Sequence, residues 1–248
     1  MEITSVNNAL VKETTKLQQK KYRQESGKFL LEGYKAIKEA FDFGIELENI
    51  FADADKIDNY NFAKEILIKT NSAVLKKLST TATAPEAVAV GVQKTFDIGL
   101  LKNMQKVILL ENIKDSGNLG TILRSAVAFG FDAVILYGDC IDLYNPKCVR
   151  ASVGNLWKIP VYQITGIEQI MKIFGNFDRI ATLPRAKNLL NNFEQHGQIL
   201  VMFGSEADGL SDELINFSTN SVKIEMANTV ESLNLSISAA IIMYRLSI

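Results

Sequence analysis

From Lys106 to the end of the chain, short apolar runs rich in β-branched residues alternate with segments of helical periodicity. Such alternation is typical of a parallel sheet with helices on both faces, because each parallel strand needs a crossover connection. The sequence therefore predicts an α/β fold for this part of the chain. The predicted strands are Val107–Asn112, Asp132–Tyr137, Lys158–Ile164, Arg179–Leu183, Ile199–Phe203 and Val222–Met226, and the predicted helices are Asn118–Phe129, Pro146–Ser152, Ile167–Phe174, Asp212–Phe217 and Ser232–Leu246.

The residues before Lys106 predict a second, smaller α/β unit. Phe29–Gly33, Leu47–Ala52 and Ala87–Val92 have the composition of strands, and Tyr34–Phe43 has an amphipathic helical pattern. The polar stretch that follows, residues 93–105, has the character of a linker. At 248 residues, the chain has room for two modest domains. We therefore predict a small domain at 1–95 and a larger one at 105–248.

Residue counts and spacings exclude several classes of protein. Two cysteines and one histidine cannot build a disulfide framework or a Cys- or His-rich metal site, so we predict no metal. No two glycines lie two positions apart, which excludes the common dinucleotide-binding fingerprint. The single five-residue glycine spacing, Gly204 to Gly209, is followed by Leu210 where a P-loop has lysine.

Charge and hydropathy exclude further classes of protein. The net charge of −1 excludes a uniformly basic nucleic-acid coat, although a local basic face remains compatible with it. No apolar run approaches the roughly 18–20 residues of a membrane span. The first residues lack the basic-then-apolar pattern of a signal peptide. We therefore expect a cytoplasmic protein without a membrane partner.

One local basic stretch lies near the N-terminus. Residues 12–28 carry six basic and two acidic side chains. Lys12, Lys16 and Lys20 have the spacing i, i+4, i+8, so on one helix they would share a face. This pattern leaves two interpretations open, a solvated helix face and an RNA contact.

Three polar clusters fall where predicted strands end, which is where open parallel sheets bind ligands. The first is Glu111–Gly120, which leads into Arg124; the second is Phe203–Ser211; the third is Ile224–Ser236. Helix capping explains part of each cluster, with Ser232 a good N-cap candidate in the third. Arg124 is harder to explain in this way, because an arginine near a helix N-terminus suits an anionic group.

Together, in this order, the clusters resemble the three motifs of the SpoU (TrmH-type) family of RNA ribose 2′-O-methyltransferases, within the SPOUT superfamily. The matching segments are Asn118–Gly130, Val201–Ser211 and Ile224–Ser236, and the resemblance covers nearly all of residues 105–248. Val149–Gly154 matches an extra segment between the first two motifs. The N-terminal part, Phe29–Gly33 included, is similar to the small RNA-substrate-binding domain often fused upstream.

Two positions depart from the family pattern. Residue 116 is serine where proline is common, and residue 228 is asparagine where glycine is frequent. Both departures bear on local loop shape rather than on the predicted activity.

The resemblance implies a fold that general rules disfavour, since chains rarely thread loops. It implies a C-terminal trefoil knot that forms the pocket for S-adenosyl-L-methionine (AdoMet), and it implies a homodimer. It also implies that the pocket is lined, mainly through backbone groups, by Gly204, Ile224, Met226 and Leu233. Gly204 follows a predicted strand directly, so its missing Cβ is expected to admit the cofactor.

The same resemblance implies which side chains take part in methyl transfer. Arg124 is the implied activator of the ribose 2′-hydroxyl, and the residues implied to orient Arg124, the ribose or the loop are Asn118, Glu206, Ser232 and Asn234. A guanidinium stays protonated in proteins, so a plain general-base role for Arg124 is chemically difficult. Gripping a phosphate and stabilising alkoxide charge is the alternative.

The substrate is expected to be ribosomal RNA, because the upstream domain resembles an RNA-binding one. Transfer RNA is the alternative substrate. An alternative from another class is a non-catalytic RNA-binding protein that keeps the fold.

Overall fold

The computed structural model describes residues 1–227 and 232–247 and divides the chain into two compact units. The first unit comprises Met1–Lys94 together with Asp142–Trp157, and the second comprises Thr95–Ile141 and Lys158–Ile248. Residues 142–157 thus group with the N-terminal unit, although they fall inside the range predicted for the larger domain. In the described part of the chain, no helix is both long and apolar enough to cross a membrane.

The first unit is built on a four-stranded mixed sheet in the order β1-β4-β2-β3. Strands β1 and β2 pair antiparallel with β4, and β3 pairs parallel with β2. Its strands are β1 (Lys28–Glu32), β2 (Leu47–Asp53), β3 (Leu67–Thr70) and β4 (Ala87–Val92), and its helices are α1 (Ala9–Lys16), α2 (Lys20–Ser26), α3 (Tyr34–Asp42), α4 (Ser72–Leu78) and α6 (Pro146–Ser152), with 3₁₀ turns at Ile57–Ile66 and Asn155–Trp157.

A buried ion pair ties residues 142–157 to the rest of the first unit. The Arg23 side chain is 2% exposed, and its Nε donates to Asp142 Oδ2 at 2.7 Å. Its Nη1 donates to the Leu17 carbonyl at 2.8 Å. Arg23 is therefore neutralised inside the unit, and it does not contribute to the basic surface that the N-terminal sequence suggests.

The second unit is built on a seven-stranded sheet in the order β7-β6-β5-β10-β8-β11-β9, and every pair in it is parallel. This confirms the predicted α/β fold with a parallel sheet. Its strands are β5 (Lys106–Glu111), β6 (Ala133–Tyr137), β7 (Val161–Ile164), β8 (Asp178–Thr182), β9 (Asn188–Leu189), β10 (Ile199–Phe203) and β11 (Asn220–Lys223), and its helices are α5 (Ser116–Ala128), α7 (Ile167–Phe174), α8 (Asp212–Phe217) and α9 (Leu235–Arg245), with 3₁₀ turns at Ile98–Asn103 and Leu190–Asn192.

The central strands of this sheet are covered on both faces. Every residue of β10 is buried, and so are the last five residues of β5. Successive side chains of a strand point to opposite faces, so complete burial requires cover on both sides. The arrangement leaves the carboxyl ends of the strands as the place where loops are free to form a site.

Some boundaries differ from the sequence expectation. The last predicted strand, Val222–Met226, is displaced to Asn220–Lys223, where Val222 is its one fully buried side chain. The C-terminal helix begins at Leu235 rather than at Ser232. Asn234 is its N-cap and accepts hydrogen bonds from the backbone N–H groups of Ser236 and Ile237. Both serine and asparagine cap helices well, so the sequence pattern alone could not choose between them.

Candidate active site

A pocket of about 720 Å³ opens at the carboxyl ends of three neighbouring strands, β10, β8 and β11. The loops that follow these strands and the start of α9 form its walls. The four residues predicted to bind the cofactor all line it: Gly204, Ile224, Met226 and Leu233. Glu206, Ser232 and Asn234 line it too, so the pocket brings together residues from the second and third sequence clusters.

The loop after β10 closes tightly on itself next to Gly204. Ser205 and Gly209 exchange two backbone hydrogen bonds of 3.1 Å, and the Ser205 hydroxyl accepts from the Asp208 N–H at 3.0 Å. A Cβ on Gly204 would lie 1.9 Å from the carbonyl carbon of Gly209. The sequence analysis expected the missing Cβ of Gly204 to make room for a ligand. That reason is wrong, because the chain's own backbone fills the space.

A chain of hydrogen bonds joins all three sequence clusters. Asn118 Nδ2 donates to Glu206 Oε1 at 2.6 Å, and Asn234 Nδ2 donates to Asn118 Oδ1 at 3.0 Å. The Asn234 Oδ1 atom in turn accepts from the Ser236 hydroxyl at 2.7 Å. Asn118 is thus the central member, and its amide fixes the loop after β10 relative to the first turn of α9.

Helix α5 holds Asn118 in place. Asp115 is the N-cap of α5, and its side chain accepts from the Asn118 N–H at 2.7 Å. Leu119, Ile122 and Leu123 on the same helix are fully buried. These contacts anchor the helix in the core, so that the Asn118 side chain leaves its first turn in a fixed direction.

Glu111 is a buried carboxylate to which the sequence analysis gave no role. It is 3% exposed at the end of β5, and its Oε2 accepts from the Ser211 N–H at 2.7 Å. Ser211 is the N-cap of α8, so this bond ties the end of the β10 loop to the neighbouring strand. The signal in the sequence was a charged residue at the end of an otherwise apolar strand.

Arg124 is exposed on α5, although Leu123 and Ala126 beside it are buried. Among the described residues, none forms a hydrogen bond or ion pair with its guanidinium, and Arg124 is not part of the pocket lining. The structure therefore shows no bond by which the neighbouring site residues would orient Arg124. Their other predicted role, orienting a loop, is supported by the hydrogen bonds of Asn118 to Glu206 and Asn234. Arg124 keeps a full set of donors for an external anion.

Ser232 lines the pocket and is exposed, but it does not cap α9 as predicted. Asn228, at which the sequence departs from the family pattern, lies outside the described residues.

The basic stretch near the N-terminus is divided between two helices. Lys12 and Lys16 belong to α1, whereas Lys20 begins α2, with a turn at residues 17–19. The shared face implied by the i, i+4, i+8 spacing therefore does not extend to Lys20. Lys16 Nζ lies 2.7 Å from Glu13 Oε2, and the hydrogen bond to Glu13 raises the pKa of Lys16. All three lysines are exposed, but Lys16 already has a counter-ion.

The family comparisons match both parts of the chain. Residues 105–244 match the SpoU rRNA Methylase family, and residues 8–89 match the MRM3-like substrate binding domain. The chain is 32% identical to an uncharacterised tRNA/rRNA methyltransferase of Synechocystis sp., over 98% of this chain and 92% of the relative. It is 27% identical to a 23S rRNA (guanosine(2553)-2′-O)-methyltransferase of Bacillus subtilis, over 99% and 98% of the two chains.

Solved structures share the fold over almost the whole length. An RNA 2′-O ribose methyltransferase superposes with a TM-score of 0.81 at 28% identity, covering 99% of this chain and 98% of the other. An AdoMet-bound rRNA methyltransferase from Sinorhizobium meliloti superposes with a TM-score of 0.90 at 24% identity, covering 99% and 97%. The expected resemblance is confirmed by these comparisons.

Proposed function

Because the chain belongs to the SpoU rRNA Methylase family, we propose that it transfers a methyl group from AdoMet to a ribose 2′-hydroxyl of ribosomal RNA. The observation that carries this proposal is the Asn118 amide, which joins Glu206 and Asn234 beside the pocket. The network holds polar side chains from all three sequence clusters at the rim of a pocket, where a bound cofactor and a ribose could meet. Relatives over the full length are named for 2′-O-methylation of 23S rRNA, which favours ribosomal over transfer RNA.

The pocket suits AdoMet in size and character. Its volume of about 720 Å³ lies in the range of small-molecule sites, roughly 300–1,000 Å³. Leu183, Ile224 and Leu233 offer an apolar wall for an adenine ring, and the backbone around Gly204 offers hydrogen-bonding groups. When bound, AdoMet supplies a methyl group on a sulfonium cation, which is the electrophile of the reaction.

The side chains then have to place the ribose hydroxyl and help it lose its proton. Asn118 holds Glu206 by one carboxylate oxygen, so that the other oxygen is available to a ribose hydroxyl. The exposed Arg124 guanidinium binds an RNA phosphate and stabilises the negative charge that develops on the 2′-oxygen. The proton leaves to that phosphate or to water, since a guanidinium does not accept it.

Two measurements test this function directly. Titration calorimetry of the purified chain is expected to show AdoMet binding, and mapping of 2′-O-methyl sites in total RNA is expected to lose one ribosomal site when the gene is deleted. A site lost from transfer RNA instead would select the alternative substrate. A chain that binds RNA but neither binds AdoMet nor changes any methyl site would be the non-catalytic alternative.

We expect the exposed lysines of α1 and α2 to contribute unequally to RNA binding. Replacing Lys12 and Lys20 by glutamine should weaken RNA binding and flatten its salt dependence, by about 0.7–0.9 per lost phosphate contact. Lys16→Gln should have the smallest effect, because Lys16 is paired with Glu13. AdoMet affinity is the control and should not change. RNA affinity and salt slope at wild-type values in the Lys12/Lys20 variant would mean that the face is only solvated.

The finer features that the resemblance implies belong to the same proposal. Ile237, Ile241 and Tyr244 are exposed and lie on one face of α9, which suits the interface of a homodimer.

The trefoil knot is proposed for the C-terminal segment, and support comes from the likeness of the fold to that of solved relatives. A cytoplasmic location fits a substrate made of ribosomal RNA. Sedimentation of the purified chain measures the oligomeric state.

A further inference from the structure

Two sequence segments that the methyl-transfer site does not use meet in the first unit. Phe29–Gly33 contains Glu32 at the end of β1, and Val149–Gly154 contains Arg150 on α6. Arg150 Nη1 lies 3.1 Å from Glu32 Oε1 and donates to the Thr80 hydroxyl at 2.7 Å. We call these three residues the Arg150 cluster.

Glu32 is a buried carboxylate, and only its Oε1 atom accepts hydrogen bonds from described residues. Its side chain is 2% exposed, and Oε1 accepts from the Thr80 N–H at 3.1 Å and from the Thr80 hydroxyl at 2.8 Å. Its Oε2 is buried and receives no hydrogen bond from any residue that the structure describes. A buried carboxylate with one bare oxygen destabilises a fold relative to an apolar side chain of similar size. The charge of Glu32 therefore needs another reason, and orienting Arg150 supplies one.

Several hydrogen bonds hold the loop that carries Thr80. Lys76 Nζ donates to the carbonyl of Thr81 at 2.8 Å and also to that of Ala82. The Thr81 N–H donates to the Ser79 hydroxyl at 2.9 Å. These bonds, together with those from Thr80 to Glu32, order the loop around Thr80, and an ordered partner limits the side-chain entropy that Arg150 would lose on binding.

Arg150 keeps a free donor edge. Its side chain is 34% exposed, and only Nη1 is engaged by described residues, so that the Nε and Nη2 hydrogens remain available. Two parallel N–H groups of a guanidinium match two oxygens of a phosphate. Lys147 lies three residues earlier on α6 and is exposed, which adds positive charge on the same side of the helix.

We propose that Arg150, oriented by Glu32 and Thr80, binds a backbone phosphate of the RNA substrate. This inference rests on the proposed function, since it takes the phosphate from RNA. It adds to the first unit an RNA contact that is independent of the lysines on α1 and α2. A free phosphate ion has the same chemistry and is distinguished by the experiment.

The experiment measures filter binding of unmodified large-subunit ribosomal RNA, transcribed in vitro. The salt concentration is varied between roughly 50 and 200 mM, a range over which phosphate contacts make the affinity strongly salt-dependent. Arg150→Ala should raise the Kd about tenfold and reduce the salt slope by about 0.7–0.9. Arg150→Lys should keep the slope but lose several-fold in affinity, because lysine lacks the planar fork. The matched control is Lys64→Gln, which removes one exposed charge from the 3₁₀ segment that packs on β2 and β3. It should leave both quantities unchanged.

Glu32→Gln separates orientation from simple neutralisation. Glutamine keeps an oxygen for Thr80 but removes a negative charge, so a merely neutralising Glu32 predicts tighter RNA binding in the variant. Orientation predicts that Glu32→Gln weakens binding several-fold, although the protein becomes more positive. Unchanged or tighter binding would overturn the proposal.

The remaining outcomes are equally decisive. Thermal unfolding reports whether each variant is folded. If the alanine variant is unfolded, the RNA affinities of Arg150→Lys and Glu32→Gln test the proposal in its place.

If Arg150→Ala abolishes binding of inorganic phosphate but leaves RNA affinity unchanged, the site belongs to a free ion and the proposal fails. A wild-type chain that binds and methylates ribosomal RNA, beside an Arg150→Ala chain that binds it equally well, would overturn this inference alone. A wild-type chain that does neither would overturn the proposed function instead.

Discussion

Arg124→Ala is expected to abolish methyl transfer while it leaves AdoMet affinity within a few-fold of wild type. The guanidinium is exposed, forms no bond with a described residue and lies outside the pocket lining, so its removal should disturb neither the fold nor the cofactor site. Exposed substitutions of this kind change stability by only about 0.5 kcal/mol. Single-turnover methylation of a ribosomal RNA fragment measures the rate, and calorimetry measures the cofactor affinity.

Arg124→Lys tests what the guanidinium contributes beyond its charge. Lysine lacks the planar fork that holds two oxygens, and we expect a loss on the order of 10²-fold, similar to that for removing one preorganised oxyanion donor. Thr121→Ala truncates another exposed side chain of α5 and serves as the control, with a rate near wild type. A lysine variant at full rate would show that charge suffices. An alanine variant that still methylates would assign the catalytic role elsewhere.

The convergence of the three polar clusters was predictable because parallel strands end at the same edge of a sheet. Apolar runs such as Ile199–Phe203 are bounded by polar residues, so both the strand and the loop after it can be recognised in the sequence. The sheet order then places the loop after β5 beside the loop after β10, and the loop after β11 two strands further along the same edge. The bond between Asn118 and Glu206 follows from that placement rather than from any local pattern.

Other features depend on contacts between distant residues and leave no local signal. The division between α1 and α2 occurs without glycine or proline, and the residue at the break, Leu17, lies in the core of the first unit. The grouping of residues 142–157 with that unit depends on the buried pair of Arg23 and Asp142. Periodicity describes one element at a time, so neither feature could be derived from it.

At Gly204 one part of the prediction depended on local sequence and another on distant contacts. The sequence placed Gly204 at the pocket, but it did not show why residue 204 must be glycine. The structure places the backbone of Gly209 and Leu210 within 2.1 Å of a Cβ at residue 204. Alanine should therefore be as disruptive as a larger residue, because the loop that lines the pocket must move to admit the first carbon. If glycine were needed only to make room for the cofactor, alanine would have a small effect and valine a large one.

We expect Gly204→Ala to raise the AdoMet Kd at least tenfold, about 1.4 kcal/mol, with Gly204→Val at least as strong. Overpacking of this kind also costs stability, typically about 1–3 kcal/mol, so thermal unfolding accompanies the calorimetry. Gly166→Ala is the matched control in the same unit, because residue 166 has a φ of −100° and the nearest atom to its Cβ is a Glu168 carboxylate oxygen at 3.4 Å. It should bind AdoMet as wild type does. A folded Gly204→Ala chain with unchanged affinity would mean that the β10 loop does not hold the cofactor, and the pocket would then have to bind AdoMet through the loop after β11 and the start of α9 alone.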